Sequence, residues 1–354
     1  MKVQFILSAA IALLASGLVD GAVAAEGDRI KFEVAAELGN TDWYTKFEKP
    51  YFEEILPKVS GGALTANAVP YDQLGLTGYE LIRLVKSRKV DIASVSMNFV
   101  TQDSPALNGG SLAGIAPDLD AFEKIYAAYR PVVEKELASK YNAKPLALFA
   151  WPQSQIFCNL PGQKNVTLAS IKGKKIRSFA ATASDLIEGL GAVPVTIPFP
   201  EVIPAIQRGT VECTTTSTLG AYDQKIYEVL THKISVNLGY SASFIVINLD
   251  VWNGLSPQNK EILSTSMADL EKRMRADTQR LETEALACLT NGPCPKGKSG
   301  GLIEVTPTAE DLAKVRSVVE SHVLKRYAER CGSQACIDDW NSTVGATMGF
   351  KASK

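Results

Sequence analysis

Residues 173–179, GKKIRSF, followed by residues 180–192, AATASDLIEGLGA, carry the pattern that decides the fold. A short strand pattern ends near Arg177, and a helical pattern begins a few residues later. In α/β proteins such strand-to-helix junctions bind ligands, because the first N–H groups of a helix have no partner within the helix. The persistent positive charge of Arg177 at this junction therefore predicts a bound anion.

The same alternation of strand and helix extends in both directions from this stretch. Upstream, strand patterns at 30–38, 64–69 and 91–99 are separated by helical patterns, and downstream the strands PVTIP (194–198) and VECTTTS (211–217) flank another helix. This order predicts an α/β fold with mostly parallel sheets. A mature chain of about 330 residues exceeds what one hydrophobic core usually organises, so we expect two lobes.

A long helical pattern follows the second block of strands. It begins at the Ser256–Pro257 cap and keeps its periodicity for about eight turns, which predicts a helix that braces both lobes. No flexible linker interrupts the chain, so crossing strands are expected to join the lobes. We expect residues 26–152 plus about 239–268 in the first lobe, and residues 153–238 plus about 269–354 in the second.

Residues 1–25 have the layout of a secretory signal peptide. Lys2 precedes an apolar run, and Ala22-Val23-Ala24 forms a small-residue cleavage site, which predicts a periplasmic protein. Later apolar runs fall short of the roughly 18–20 residues that a membrane span needs. The net charge of −1 gives no electrostatic reason to expect nucleic acid or an anionic membrane as a partner.

Six cysteines in an exported chain favour disulfides over metal ligands, with buried free thiols as the alternative. Two close pairs suggest local loop closures, which leaves the other two cysteines to pair over a long separation. The expected pairs are Cys288–Cys294, Cys331–Cys336 and Cys158–Cys213. With only His232 and His322, a histidine-rich zinc site is not expected, and no motif indicates a cofactor.

Three blocks of sequence resemble one known family. They are PYDQLGLTGYELIRLVKSRKVDIASVS (70–96), LASIKGKKIRSF (168–179) and GLGAVPVTIPFPEVIPAIQRGTVE (189–212), and a long helix after NGLSP (253–257) completes the pattern. The chain resembles the DctP-like substrate-binding proteins of tripartite ATP-independent periplasmic (TRAP) transporters over nearly its whole mature length. The resemblance implies a periplasmic binding protein fold whose two lobes close over a small organic acid and deliver it to membrane permease subunits.

The resemblance also implies that Arg177 holds the ligand carboxylate. A guanidinium presents parallel donors that match both oxygens of a carboxylate, whereas Lys174 and Lys175 are interpreted as a solvated basic face. Many relatives carry a second arginine where this chain has Gln155, and an asparagine where Thr216 is the nearest match. Both changes remove a charge or an amide, so a monocarboxylate is expected rather than a dicarboxylate.

Aromatic side chains at other strand ends suggest a flat or hydrophobic ligand body. Each of them alone is more often part of a core than a ligand contact. The expected ligand-contacting aromatics are Trp43, Phe99, Trp151 and Phe179.

Other functional classes fit less well. The chain has no Gly-x-Ser-x-Gly elbow, no His-Glu-x-x-His motif and no phosphate-binding loop, so an exported enzyme is not expected. A two-lobed sensor remains an alternative, because no short motif marks a permease-facing surface. A binding protein for an ATP-driven permease is a closer alternative, and only the block at residues 168–212 argues against it. We expect the protein to be a monomer.

Overall fold

The computed structural model describes residues 29–100 and 103–354. The predicted signal peptide, residues 1–25, lies outside the described residues. The chain forms two β-sheets flanked by helices, as the alternating pattern predicts. Within the described part of the chain, no helix has the length and apolar character needed to cross a membrane.

The strands and helices follow the order that the sequence indicates. The strands are β1 (Ile30–Ala36), β2 (Leu64–Pro70), β3 (Ile92–Ser96), β4 (Ala143–Trp151), β5 (Ser154–Cys158), β6 (Lys175–Ser178), β7 (Val193–Thr196), β8 (Cys213–Ser217), β9 (His232–Ile234), β10 (Ser241–Asn248) and β11 (Ile303–Val305). The α-helices are α1 (Leu56–Val59), α2 (Leu81–Lys86), α3 (Pro105–Asn108), α4 (Leu119–Tyr141), α5 (Ala181–Gly189), α6 (Val202–Gln207), α7 (Thr218–Asp223), α8 (Leu249–Gly254), α9 (Pro257–Leu289), α10 (Ala309–Val318), α11 (Leu324–Cys331), α12 (Gln334–Trp340) and α13 (Ala346–Met348). Two π-helical turns, Trp43–Glu48 and Tyr51–Ile55, lead into α1.

The first sheet has the strand order β2-β1-β3-β10-β4. β1 pairs in parallel with β2 and β3, whereas β10 is antiparallel to both β3 and β4. The second sheet has the order β11-β9-β5-β8-β6-β7. In this sheet β6 is parallel to both β7 and β8, whereas β5 is antiparallel to both β8 and β9. β6, which carries Arg177, therefore lies between two parallel neighbours.

Segments of chain cross between the sheets, as expected. β4 of the first sheet leads through Pro152 and Gln153 directly into β5 of the second, and the chain returns between β9 and β10. α9 packs against both β4 and α7, so it braces the two lobes. Its N-terminus is capped by Ser256, whose hydroxyl accepts a hydrogen bond from the Asn259 backbone N–H at 3.2 Å. The Glu271 carboxylate accepts a hydrogen bond from the Leu148 N–H of β4 at 2.9 Å.

The apolar core consists of two clusters, and each cluster contains side chains from both sheets. The C-terminal helices complete the first cluster, where the Trp340 indole donates to the Gly109 carbonyl oxygen at 2.8 Å. The residue boundaries of the two lobes given above stay a prediction.

All three expected disulfides are present: Cys158–Cys213, Cys288–Cys294 and Cys331–Cys336. Cys158 and Cys213 are fully buried and lie directly opposite each other on β5 and β8. This bridge joins two adjacent strands of the second sheet beside the strand that carries Arg177.

Candidate functional site

A cavity lies between the two sheets where their strands end. Its volume is ≈ 490 Å³, counting the part open to solvent. The first-sheet side is lined by Glu37, Leu38, Tyr71, Ser96, Asn98, Phe99, Trp151 and Ser241, and the second-sheet side by Ser154, Arg177, Phe179, Phe199, Thr216 and Ser217. These residues lie at the carboxyl ends of parallel strands or at the amino ends of the antiparallel strands β5 and β10, where α/β proteins bind ligands.

Arg177 is the positively charged side chain among these lining residues, and only 1% of it is exposed. Its Nε donates to the Ile197 carbonyl oxygen at 2.8 Å, and its Nη1 donates to the Thr215 carbonyl oxygen at 3.0 Å. These two bonds fix the guanidinium between the residue that follows β7 and the middle of β8. Its Nη2 is buried and has no hydrogen-bond partner among the described residues. A buried donor without a partner costs free energy, and a ligand oxygen would satisfy it.

The charge of Arg177 is also uncompensated within the described residues, where no carboxylate lies within salt-bridge distance of it. Burial lowers the pKa of the Arg177 guanidinium to about 10, so the group remains charged at neutral pH. A buried cation without a counter-ion is costly, and an anionic ligand offsets that cost.

Aromatic rings surround the guanidinium. The guanidinium carbon lies 5.4 Å from the centroid of Phe199 and 6.0 Å from that of Phe179. Phe99 also lines the cavity, and Tyr79 stacks on it at 4.6 Å between centroids. Gly78 permits this packing, because its φ is +97° and a Cβ there would lie 2.9 Å from the Phe99 ring.

Five of the seven predicted contact residues line the cavity, and the other two, Trp43 and Gln155, do not. The five are Arg177, Thr216, Phe99, Trp151 and Phe179. Trp43 is fully buried and packs edge-on against Trp151 at 6.4 Å, so it supports that ring from behind. Gln155 lies on β5, directly opposite Thr216 of β8. Its amide nitrogen donates to the Gln153 side-chain oxygen at 3.1 Å.

An acidic pair, Glu37 and Glu48, occupies the first-sheet side of the site. Glu37 lines the cavity, and both carboxyl groups are buried. The Glu37 backbone N–H donates to Glu48 Oε2 at 2.7 Å, and the Ser94 hydroxyl donates to Glu48 Oε1. Burial, reinforced by the charge of Glu48, raises the pKa of the Glu37 carboxyl to about 8. Burial also raises the pKa of the Glu48 carboxyl, to about 7.

The sequence reasoning missed several lining residues that share one signal. Glu37 follows β1, Tyr71 follows β2 and Phe199 follows β7 by three residues. The rule that ligands meet the carboxyl ends of parallel strands would have found them, had it been applied to the residues that follow every strand. Within 29–100 and 103–354, no group of three or more His, Cys, Asp or Glu side chains is arranged to hold a metal ion.

Comparisons with known proteins agree with this geometry. The family model described as bacterial extracellular solute-binding protein, family 7, matches residues 36–330. A C4-dicarboxylate-binding periplasmic protein of Rhodobacter capsulatus is 26% identical over 296 residues, covering 80% of this chain and 82% of the relative.

Two crystal structures of Bordetella pertussis extracytoplasmic solute receptors that bind pyroglutamic acid share the fold. DctP6 matches with a TM-score of 0.79 at 21% identity, covering 90% of this chain and 99% of that chain. DctP7 matches with a TM-score of 0.75 at 20% identity, covering 88% of this chain and 99% of that chain. The two-lobed periplasmic binding protein fold is thus confirmed.

These findings confirm the resemblance to TRAP transporter binding proteins. The matched family consists of extracytoplasmic receptors that bind substrates and are not enzymes. The chain belongs to the bacterial extracellular solute-binding proteins of family 7, and it is a receptor of the TRAP transporter type.

Proposed function

We propose that this protein captures a small monocarboxylic acid in the cavity between its lobes and delivers it to a TRAP-type membrane permease. The observation that carries the proposal is Arg177, a buried guanidinium with an unpartnered Nη2 and no carboxylate partner among the described residues. The ligand carboxylate would accept from Nη2 and supply the missing negative charge.

One carboxylate suits this cavity better than two. Arg177 is the cation among its described lining residues, and Glu37 brings a carboxyl group of the protein to the opposite side. A second ligand carboxylate near Glu37 would meet an acidic group rather than a cation. The rings of Phe99, Trp151 and Phe199 would contact the apolar body of the ligand.

Pyroglutamate is the first acid to test, because it has one carboxylate on a small flat ring and is bound by the two Bordetella pertussis receptors of the same fold. A dicarboxylate is the second candidate, since the Rhodobacter capsulatus relative binds C4-dicarboxylates. Benzoate represents the monocarboxylates with a purely apolar aromatic body. We propose that the receptor is a monomer and is exported to the periplasm.

A thermal-shift screen of the mature protein with pyroglutamate, benzoate, succinate and malate tests this function. A ligand that binds only the native state stabilises it by about 2.7 kcal/mol at a hundredfold excess over Kd. We expect a monocarboxylate to raise the melting temperature and to be recovered without chemical change. Stabilisation by the dicarboxylates alone, or by none of the acids, would contradict the proposal.

A further inference from the structure

The side of the cavity opposite Arg177 contains a carboxyl group that the proposed function has not used. Only 4% of Glu37 is exposed, and the residue lines the cavity. Its Oε1 accepts a hydrogen bond from the Leu38 N–H at 3.0 Å. Its other oxygen, Oε2, has no donor among the described residues.

The groups around Glu37 do not favour an ionised carboxylate. Glu48 faces it from the helical turn beside β1, and Asp72 and Tyr71 face it from the segment after β2. No lysine or arginine among the described residues forms an ion pair with Glu37 or Glu48, and Arg177 lies across the cavity. Two buried carboxyl groups without a cation retain a proton between them, because neither solvent nor a counter-ion stabilises two charges.

The hydrogen bonds show which of the two acids holds this proton. Glu48 accepts two hydrogen bonds, from the Glu37 N–H and the Ser94 hydroxyl, and both stabilise its ionised form. Glu37 accepts one, from Leu38. The pKa values follow the same order, since burial raises that of Glu37 further than that of Glu48. Glu37 is therefore the neutral member of the pair at pH 7.

A neutral carboxyl group presents a donor and an acceptor side by side. A lactam or primary amide presents the complementary acceptor and donor, so the two groups can form a pair of hydrogen bonds. A second carboxylate offers only acceptors, and an ammonium offers only donors and favours an ionised partner.

We propose that Glu37 determines the specificity of the site by pairing, as a neutral acid, with a lactam or amide of the ligand whose carboxylate binds Arg177. The proposal rests on the proposed function, and it narrows the substrate class to small acids that carry a neutral amide. It predicts that the receptor rejects both amino acids with a free ammonium and acids with only an apolar body.

Calorimetric titration with three five-membered-ring acids tests this specificity. L-Pyroglutamate has the lactam, L-proline has an ammonium in its place, and cyclopentanecarboxylate has neither. Because a site built for a hydrogen-bonding group strongly rejects an analogue that lacks it, we expect pyroglutamate to bind at least about tenfold more tightly than the other two. Equal binding of pyroglutamate and cyclopentanecarboxylate, or a preference for proline, would overturn the proposal.

Variants of Glu37 add a readout that a structural role would not produce. As Glu37 ionises between about pH 6 and about pH 9, pyroglutamate affinity of the parent should fall by about tenfold. Glu37→Gln keeps a donor and an acceptor but cannot ionise, so its affinity should change by less than about twofold over this range. Glu33→Gln makes the same substitution at an exposed position of β1 and should retain the parental pH dependence.

Glu37→Ala separates the failure of this proposal from the failure of the proposed function. It should weaken pyroglutamate binding by at least about tenfold and cyclopentanecarboxylate binding by less than about threefold. A Glu37→Gln receptor with the parental pH dependence would overturn the role of Glu37 while leaving carboxylate capture intact. If none of the three acids binds the parent, and none of the acids in the thermal-shift screen stabilises it, the proposed function itself fails.

Discussion

The backbone N–H of Asp42 donates to Oδ2 of Asp223 at 3.1 Å, and this bond spans the cleft between the lobes. Asp42 follows β1 of the first sheet, whereas Asp223 is the last residue of α7, which follows β8 of the second sheet. Lys296 Nζ lies 2.7 Å from the Asp42 carboxylate and 2.6 Å from that of Asp223. One ammonium therefore bridges the two carboxylates, and Lys46 Nζ lies 3.0 Å from the Asp42 carboxylate as well.

Replacing Lys296 with methionine should weaken the closed form. Asp223 would then lose its ion-pair partner and Asp42 would keep only Lys46, 3.0 Å away, so the repulsion between the two carboxylates favours separation of the lobes. We expect a larger radius of gyration by solution X-ray scattering without ligand, and a loss of about 1 kcal/mol in ligand affinity. In the parent, saturating ligand should reduce the radius relative to the ligand-free protein.

Lys298→Met is the matched control, because Lys298 lies in the same loop with 74% of its side chain exposed. It should leave the radius and the affinity as in the parent. A Lys296→Met protein with the parental radius and affinity would show that the Lys296 ion pairs do not influence closure.

Removal of the Cys158–Cys213 bridge should cost more stability than removal of Cys331–Cys336. The first bridge has a sequence separation of 55 and the second a separation of 5. In the chain-entropy description the corresponding losses are about 4 and about 2 kcal/mol, because a longer loop leaves the unfolded chain more freedom. Denaturant unfolding of the two double alanine variants measures the difference, and equal losses would contradict this ordering. Peptide mapping without reduction checks that both bridges form.

The ligand-free protein should lose stability as the pH rises from about 4.5 to about 8, because of Glu37. Within this range the unfolded chain has an ionised Glu37 whereas the folded chain keeps it protonated, so raising the pH favours unfolding. The contribution is at most about 1.4 kcal/mol per pH unit. Unfolding of the parent and of Glu37→Gln at a series of pH values isolates this contribution. A stability difference between them that does not change with pH would contradict the raised pKa.

The sequence predicted the fold well where local patterns determine structure. The Ser256 cap, the periodicity of α9 and the strand-to-helix junction at Arg177 are all local features, and the structure contains each of them. The short strands β9 and β11 were not predicted, since three residues are too few to show an alternating pattern.

The site was predicted only in part, because burial depends on contacts between distant segments. Nothing in the sequence near Glu37 shows that Glu48 and Asp72 approach it, so its raised pKa could not be foreseen. Nor could the sequence show that Arg177 donates to the Ile197 and Thr215 carbonyl oxygens as well as facing the cavity. The sequence reasoning treated this side chain as reserved for ligand, whereas the structure also gives it a role between the strands.

Because of this second role, the test of Arg177 has to measure folding and binding separately. Arg177→Ala removes one donor from each of the Ile197 and Thr215 carbonyl oxygens, so its unfolding should be compared with that of the parent. Lys175→Ala is the matched control, since Lys175 is exposed on the same strand, two residues earlier. This control should change stability and affinity by less than about 0.5 kcal/mol.

The most direct test of carboxylate capture by Arg177 is calorimetric titration of these variants with the acid that gives the largest thermal shift. Arg177→Ala should lose roughly 2–5 kcal/mol of binding free energy, because the ligand carboxylate would be buried without its partner. Arg177→Lys keeps the charge but loses the paired donors, so its affinity should fall by at least about tenfold. An Arg177→Ala protein that is folded and binds the acid as tightly as the parent would contradict the account.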